Sequence, residues 1–550
     1  MDEPSPVVAN SPWREPQIIG LLAIVLIAYF LRLDTVSVRG EESRWFGIAQ
    51  EMVRTGDWIV PRLQGEAFHS RPPLQSWAMA VSLVLHGGAS PWSVRLPGVL
   101  AVFLTCLLLY VHARRFLGPL GAFSAAAAFA TMVQLLEIGR LAETESLFSF
   151  FICAALLTWH RGITSGWPDW RTWMCAYAIA GLAALTKGTQ APVYLGTTSA
   201  VYLFWTGEWR RFFSMGHVLG LLTFSLVFGS WFAAYSWQLG WEFAWKTLMN
   251  DTAGCFFDTS RWATYLRHLL IYPCWVFTCM MPWSIFLFGY VRRDLRTQLG
   301  AALTLVQFTA IACIVAFPTC WLVPNANARY WIPLYPCVAL LVGVVLERGM
   351  LADQGSVLRR RLVWMRTAVG ILLVASPLLV VFARSLPFSF RPLDAQPMGH
   401  LSLFLAAVLV AGVLNLAYRR AASAIPTFAC AIVLALFGSI LNPNITVKAS
   451  LDVETPMIAL KERLPDDVPF YSLGPMQHRF AFFLDRPIQL VGEPASNSVH
   501  PPVGSYFCVT VNDPDKASLP FAWEKLDVVC MDRYPAQRHS FVIVGRRVAP

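Results

Sequence analysis

Charge is scarce in this chain. Only 14% of its 550 residues are Asp, Glu, Lys or Arg, while 56% are hydrophobic; an ordinary soluble domain carries roughly 25% charged residues. A water-soluble fold could not cover so much apolar surface, so the deficit excludes that class. A Cys-X-X-Cys pair is absent despite twelve cysteines, which leaves a zinc ribbon or a dithiol redox motif unsupported. Most of these cysteines fall inside apolar runs, where Cys behaves as a small hydrophobe. Only Cys508 and Cys530 share the polar C-terminal region, as a disulfide or as two core thiols. No clear internal repeat is present, and with it goes the paired-repeat signature of a transporter or flippase. The opening residues lack a cleavable-signal pattern. Asp2 and Glu3 precede a full-length apolar run, so that run reads as a retained helix.

Long apolar runs, by contrast, are plentiful. They fall at about 17–33, 93–112, 118–137, 144–160, 172–187, 189–206, 214–237, 269–291, 300–319, 331–347, 366–384, 401–418 and 423–441. Each approaches the ~20 residues a helix needs to cross a bilayer. A further run at 75–87 is short and holds His86, and reads as a juxtamembrane helix. Twenty-two Trp suit membrane interfaces. The formal net charge of +10 does not indicate a nucleic-acid partner, because the basic residues form short clusters between apolar runs rather than a stripe on one face.

Those clusters orient the chain. With a cytoplasmic N-terminus, the short inner loops carry 16 arginines, from Arg114 and Arg115 through Arg359, Arg360 and Arg361 to Arg419 and Arg420. The outer loops carry five basic residues, Arg140, Lys187, Arg329, Arg384 and Arg391. The positive-inside rule favours this arrangement. Thirteen crossings then place the C-terminus outside. The expected architecture is an α-helical polytopic membrane protein, 1–444, with extracytoplasmic loops at about 34–92 and 238–268. A small α/β extracytoplasmic domain, 445–550, follows. Its pattern is a helix at Thr455–Leu464 and strand-like runs at Tyr506–Val511, Asp527–Cys530 and Ser540–Val544.

Candidate chemistry gathers on the outer side. Trp45, Ile48, Ala49 and Met52 recur at spacings of three and four, which predicts an amphipathic helix lying on the membrane surface. Glu41 and Glu42 stand just before that stripe. They can act on an acceptor hydroxyl or amine, bind a divalent metal, or simply favour a helix N-terminus. Glu143-Thr144-Glu145 stands at the outer mouth of the fourth crossing, where carboxylates face a cavity or partner, or else begin a solvated helix. Arg71, Lys187, Arg261, Arg267, His268 and Arg329 map to the same side, where such groups hold a lipid phosphate or anchor at the interface.

The ordered string Glu41-Glu42, Ala49, Met52, Gly56-Asp57-Trp58, Pro61, Arg71-Pro72-Pro73-Leu74 and Trp77 resembles the first periplasmic loop of GT-C membrane glycosyltransferases. The resemblance is to the branch of the lipid A aminoarabinose transferase and the relatives of protein O-mannosyltransferases. Thr186-Lys187-Gly188, Pro282-Trp283 and Arg329-Tyr330 with Pro333-Leu334-Tyr335-Pro336 extend it over nearly the whole chain. It implies an inverting transfer of a sugar from a polyprenyl-phosphate donor to a lipid, glycan or protein acceptor at the plasma (inner) membrane. In that scheme Glu41 and Glu145 take the two acidic positions, supported by Glu42 and Glu143. Arg71 takes the lysine of the Lys-Pro-Pro motif, and Lys187 and Arg329 match basic positions near the carrier; Arg267 and Tyr330 are further candidates for binding its phosphate. Both acidic positions are Asp in the family and Glu here. The metal-binding carboxylate expected before that motif is replaced by Ser70, so His69 and His268 become the candidate ligands for a divalent metal ion. The rival readings are a transporter or flippase and a non-catalytic binder of lipid-linked glycans.

Overall fold

The computed structural model describes residues 15–35, 38, 41–68, 71–253, 262–291, 293–324, 326–384, 398–441, 453–465, 468–492, 500–533 and 539–549. The described chain is mostly helical, with a small C-terminal sheet. It divides into two compact units, Met1–Arg32 with Gly98–Asn442, and Leu33–Pro97 with Pro443–Pro550. The first long loop therefore groups with the tail, whereas the sequence boundary at 444/445 leaves it with the helical region.

In the larger unit, six described helices are long and apolar enough to cross a membrane. They include Pro91–Ala113, which begins at the unit boundary, Thr144–Thr164 and Met215–Leu239. A seventh qualifies only as the pair Thr264–Cys279 and Trp283–Val291, bent by 112°. Shorter apolar helices, Pro16–Phe30, Leu74–His86, Pro119–Ala130 and Ile425–Ile440, match the runs at 17–33, 75–87, 118–137 and 423–441. Two runs read as single crossings are broken. The run at 118–137 stops at Ala130 and restarts at Val133, and the run at 269–291 turns sharply after Cys279. Hydropathy averages over such breaks, because the residues on both sides are equally apolar. The loop at 238–268 is largely helical, as Trp241–Ala253 and the start of Trp262–Cys279.

Small residues let the helices meet at backbone contact. A Cβ on Gly343 would lie 2.6 Å from the Gly121 carbonyl oxygen, so the Pro119–Ala130 and Tyr335–Leu351 helices cross with no room for a side chain there. Beside that crossing the buried Glu347 carboxylate accepts the Gly121 N–H at 2.8 Å, satisfying a helix-end donor.

The smaller unit joins the first loop to the tail. Its Glu41–Thr55 helix has acidic residues in the first turn and Arg54 in the last, which complements the macrodipole. It ends at Gly56, whose φ of +74° few other residues adopt cheaply. A hairpin of β1 (Arg62–Leu63) and β2 (Glu66–Ala67) turns through Gln64 and Gly65, both at positive φ. Trp45, Ile48, Ala49 and Met52 are all buried in protein, which corrects the expectation of a stripe lying on the membrane. Trp45 meets Phe68 edge-on at 5.7 Å, and Phe46 meets Phe482 of the tail at 4.7 Å. Gln50 donates to Asp485 at 2.8 Å. An amphipathic period shows that one face is covered; it does not say by what.

The tail sheet runs β4-β3-β5-β7-β6, with β3 at Phe470–Leu473, β4 at Ile488–Val491, β5 at Tyr506–Val511, β6 at Trp523–Arg533 and β7 at His539–Arg547. The pairs β3–β4 and β3–β5 are parallel, and β7 is antiparallel to both neighbours. Consecutive residues Phe507, Cys508 and Val509 are buried because both faces are covered. Cys508 packs with Met457, Leu460, Phe480 and Leu484 from the helices Glu454–Arg463 and His478–Leu484, while Phe507 and Val509 face the other way. Both cysteines are free, and β7 separates their strands. Two strand spacings, roughly 9–10 Å, exceed the Cα separation a disulfide tolerates. The thiol alternative is the one observed.

Burial, and then the charge of Arg44, hold the His478 imidazole down at about 4. The unfolded chain titrates near 6.5, so between those values it binds a proton that the folded chain refuses. Stability should therefore fall as pH drops from about 6.5 to about 4, by about 2–3 kcal/mol from this group. Thermal unfolding across that range checks it, and His478→Phe should flatten the dependence.

Candidate functional site

Four of the charged residues singled out by sequence meet in the larger unit. Glu143 occupies the N-cap position of the Thr144–Thr164 helix, without a side-chain capping bond, and Glu145 lies in its first turn, so the helix dipole favours both carboxylates. Lys187 ends the Asp169–Lys187 helix, where the dipole favours a cation, and Gly188 at φ +91° turns the chain immediately afterwards. The N-terminus of one helix and the C-terminus of its neighbour thus bring opposite charges together. Lys187 Nζ donates to Glu145 Oε1 at 3.0 Å, and both side chains are nearly fully buried. The second Glu145 oxygen lies 3.4 Å from the Thr144 hydroxyl.

Arg329 enters from a different part of the chain, on the 3-10 helix Ala328–Leu334, where the Asn327 side chain accepts the Arg329 N–H at 3.0 Å. Its guanidinium lies 3.5 Å from Glu143 Oε1 and 3.5 Å from Glu145 Oε1. Tyr330 covers the pair of cations, with Lys187 Nζ 4.7 Å and the Arg329 guanidinium 5.9 Å from its ring centre. Arg329 keeps 28% of its side chain exposed against 6% for Lys187, so an incoming anion meets the guanidinium first.

The Trp262–Cys279 helix pins the segment before Arg329. Tyr265 donates to the Leu322 carbonyl at 3.1 Å, Trp321 Nε1 to the Leu269 carbonyl at 2.8 Å, and His268 Nε2 to the Trp321 carbonyl at 3.2 Å. His268 is thus engaged with backbone, and its ring packs on Tyr272. Arg267, next to it, is exposed. Arg140, counted only as a loop charge by sequence, donates to the carbonyls of Leu31 and Arg32 at 2.9 Å.

In the smaller unit the two adjacent glutamates differ. Glu42 is fully buried and receives two parallel hydrogen bonds from Arg95, Nε to Oε1 at 2.8 Å and Nη2 to Oε2 at 2.9 Å. Arg95 Nη1 also donates to the Leu33 carbonyl at 2.7 Å, so the three groups clamp the start of the loop. Glu41, one residue earlier, is about a third exposed and meets Arg44 at 2.7 Å. Arg71 is half-buried in the bend before Pro72-Pro73, which open the Leu74–His86 helix. Trp77 Nε1 donates to the Trp58 carbonyl at 2.7 Å and ties that helix to the loop. Sequence reasoning missed Arg95. Its signal was a lone cation a few residues into an apolar run, a position that calls for a buried partner.

A divalent metal does not fit the cluster. Both carboxylates already face cations, so a metal there would have to displace Lys187 or Arg329. Among the described residues no three His, Cys, Asp or Glu side chains converge elsewhere. His69 and Arg261 lie outside the described residues.

Residues 70–234 match the family described as dolichyl-phosphate-mannose-protein mannosyltransferase. An undecaprenyl phosphate-alpha-4-amino-4-deoxy-L-arabinose arabinosyl transferase of Pseudomonas aeruginosa is 25% identical over 436 residues, spanning 78% of this chain and 75% of that protein. The transferase of the same description from Edwardsiella ictaluri is 25% identical over 381 residues, 65% of each chain. Among solved structures, ArnT from Cupriavidus metallidurans bound to undecaprenyl phosphate superposes with a TM-score of 0.65 at 19% identity, covering 96% of this chain and 98% of that one. The chain therefore has that fold, and its sequence resembles the aminoarabinose transferases over most of its length.

Proposed function

We propose that this membrane protein is an inverting glycosyltransferase that moves a sugar from a polyprenyl-phosphate carrier to a lipid, glycan or protein acceptor on the extracytoplasmic face. The observation that carries the reading is the buried Glu145–Lys187 pair with the partly exposed Arg329 beside it, in a chain similar to transferases named for an undecaprenyl-phosphate donor. The arginine-rich clusters, taken as cytoplasmic by the positive-inside rule, support an extracytoplasmic position for that cluster and for the tail.

In the reaction, the bond between the sugar's anomeric carbon and a phosphate oxygen breaks, and its electron pair stays on the phosphate. An acceptor hydroxyl or amine forms the new bond from the opposite face and releases a proton. Arg329 and Lys187 hold the departing phosphate, and Arg71 and Arg267 are the further candidates for contact with the carrier phosphate. Charge stabilisation of this kind is usually the largest catalytic contribution. Glu145 and Glu143 aim the two cations and keep them from being buried unpaired. Glu41, the more accessible of the loop glutamates, takes the acceptor's proton, while Glu42 fixes the loop that carries it. No step is routed through a metal.

Purified protein in liposomes with labelled polyprenyl-phosphate sugars and a membrane extract tests the reading. Extract-dependent loss of one donor is expected, falling about 10²-fold or more in Arg71→Ala and in Glu41→Gln. Wild-type turnover in both variants would refute these assignments, and donor binding without consumption would favour a transporter or a lipid binder.

A further inference from the structure

A cluster of arginines in the larger unit surrounds a cavity that the sugar-transfer reading does not use. A cavity of about 490 Å³ is walled by Gln354, Arg359, Arg360, Val363, Trp364, Thr367, Arg419 and Arg420. Arg359 and Arg360 lie in the first turn of the Val357–Arg384 helix, and Arg419 and Arg420 follow the Met398–Ala417 helix. The cavity is therefore lined by four arginines, two of them in the first turn of a helix, where the dipole is positive. Among the described residues no carboxylate forms an ion pair with any of them.

The bland explanation is membrane orientation, which needs positive charge in this loop. Orientation asks only for arginines near water. It does not account for Arg359 at 8% exposure, or for Arg366, two turns further along the same helix, at 4%. Arg359 is held in place by a hydrogen bond to the Arg420 carbonyl. Both terminal nitrogens of Arg366 are buried without a hydrogen-bond partner among the described residues. Arg366 does not line the cavity, whereas the buried Arg359 does, and a buried cation there calls for an anion. Trp364, at 69% exposure, and Val363 give the same cavity an apolar side.

We propose that this cavity binds the phosphodiester headgroup of an anionic phospholipid, with Trp364 and Val363 against the upper acyl chain and the arginines on the phosphate. A basic cavity beside an interfacial Trp suits a ligand that is anionic at one end and apolar at the other. A free phosphate would use only the basic half.

The full-length protein is reconstituted in vesicles of equal parts phosphatidylcholine and phosphatidylglycerol, re-extracted, and its retained lipids are counted by native mass spectrometry. Phosphatidylglycerol should be retained in preference to phosphatidylcholine. The preference should fall about tenfold in Arg360→Gln/Arg419→Gln, which removes two arginines outside the buried core. Arg360→Lys/Arg419→Lys keeps the charge and should keep the preference. Equal retention of the two lipids by the wild type overturns the proposal, and so does loss of preference in the lysine pair as deep as in the glutamine pair. If inorganic phosphate in place of lipid raises the melting temperature as much as phosphatidylglycerol does, the site is one for soluble anions and the lipid assignment falls.

Discussion

Replacing Lys187 with alanine should cost this protein both stability and turnover. Glu145 is 2% exposed and, among the described residues, would keep Arg329, at 3.5 Å, as its cationic neighbour. Breaking a buried ion pair by removing one partner costs about 3–5 kcal/mol, because the other charge is left uncompensated. Loss of a cation from the departing phosphate should lower turnover about 10²–10³-fold, as removal of one preorganised stabilising group does. The two effects separate in the double variant Glu145→Gln/Lys187→Met. It buries no unpaired charge, so it should recover most of the melting temperature while remaining inactive. A double variant with wild-type turnover would make the pair structural and move the phosphate site elsewhere. Lys187→Arg should not rescue fully, since a planar guanidinium cannot take the position of a compact ammonium under the Tyr330 ring.

Arg95→Met should be comparably damaging to stability, by a different route. Glu42 is 0% exposed, and both its oxygens are bound by the Arg95 guanidinium. Without Arg95 the buried carboxylate loses both of these hydrogen bonds, and the Leu33 carbonyl loses its donor as well. A loss of about 3–5 kcal/mol is expected, read as a lowered melting temperature and faster proteolysis in the first loop. The paired replacement Glu42→Leu/Arg95→Met removes both charges and should recover most of that loss. It should still impair transfer, because the Glu41–Thr55 helix then lacks the clamp that fixes Glu41. Recovery of both stability and full activity would show that the clamp contributes nothing to positioning.

The contrast between Glu41 and Glu42 marks how far the residue pattern could be read. Adjacent positions on a helix differ by about 100° in direction, so one enters the core while the other stays near water. Local pattern offers the pair without ranking its members, and only the family resemblance puts Glu41 first. The stripe at Trp45, Ile48, Ala49 and Met52 was legible as a covered face, yet its cover is protein and not membrane. In the tail, Tyr506–Val511 was legible as a strand. The short β3 and β4, with the helix His478–Leu484 between them, carried too few residues to stand out.

What the sequence determined by itself is what composition and local order control. Long uncharged runs have no soluble alternative, and β-branched and aromatic runs form the tail's strands. The tertiary structure alone decided the pairings. Glu42 meets Arg95 across 53 residues and Glu145 meets Lys187 across 42, and Arg329 joins them from another region altogether. Those contacts depend on how helices cross and rotate, which is set by side-chain shape summed over whole interfaces. A buried charge also cannot exist before its partner is in place, so the site's charges are fixed only when the fold closes around them.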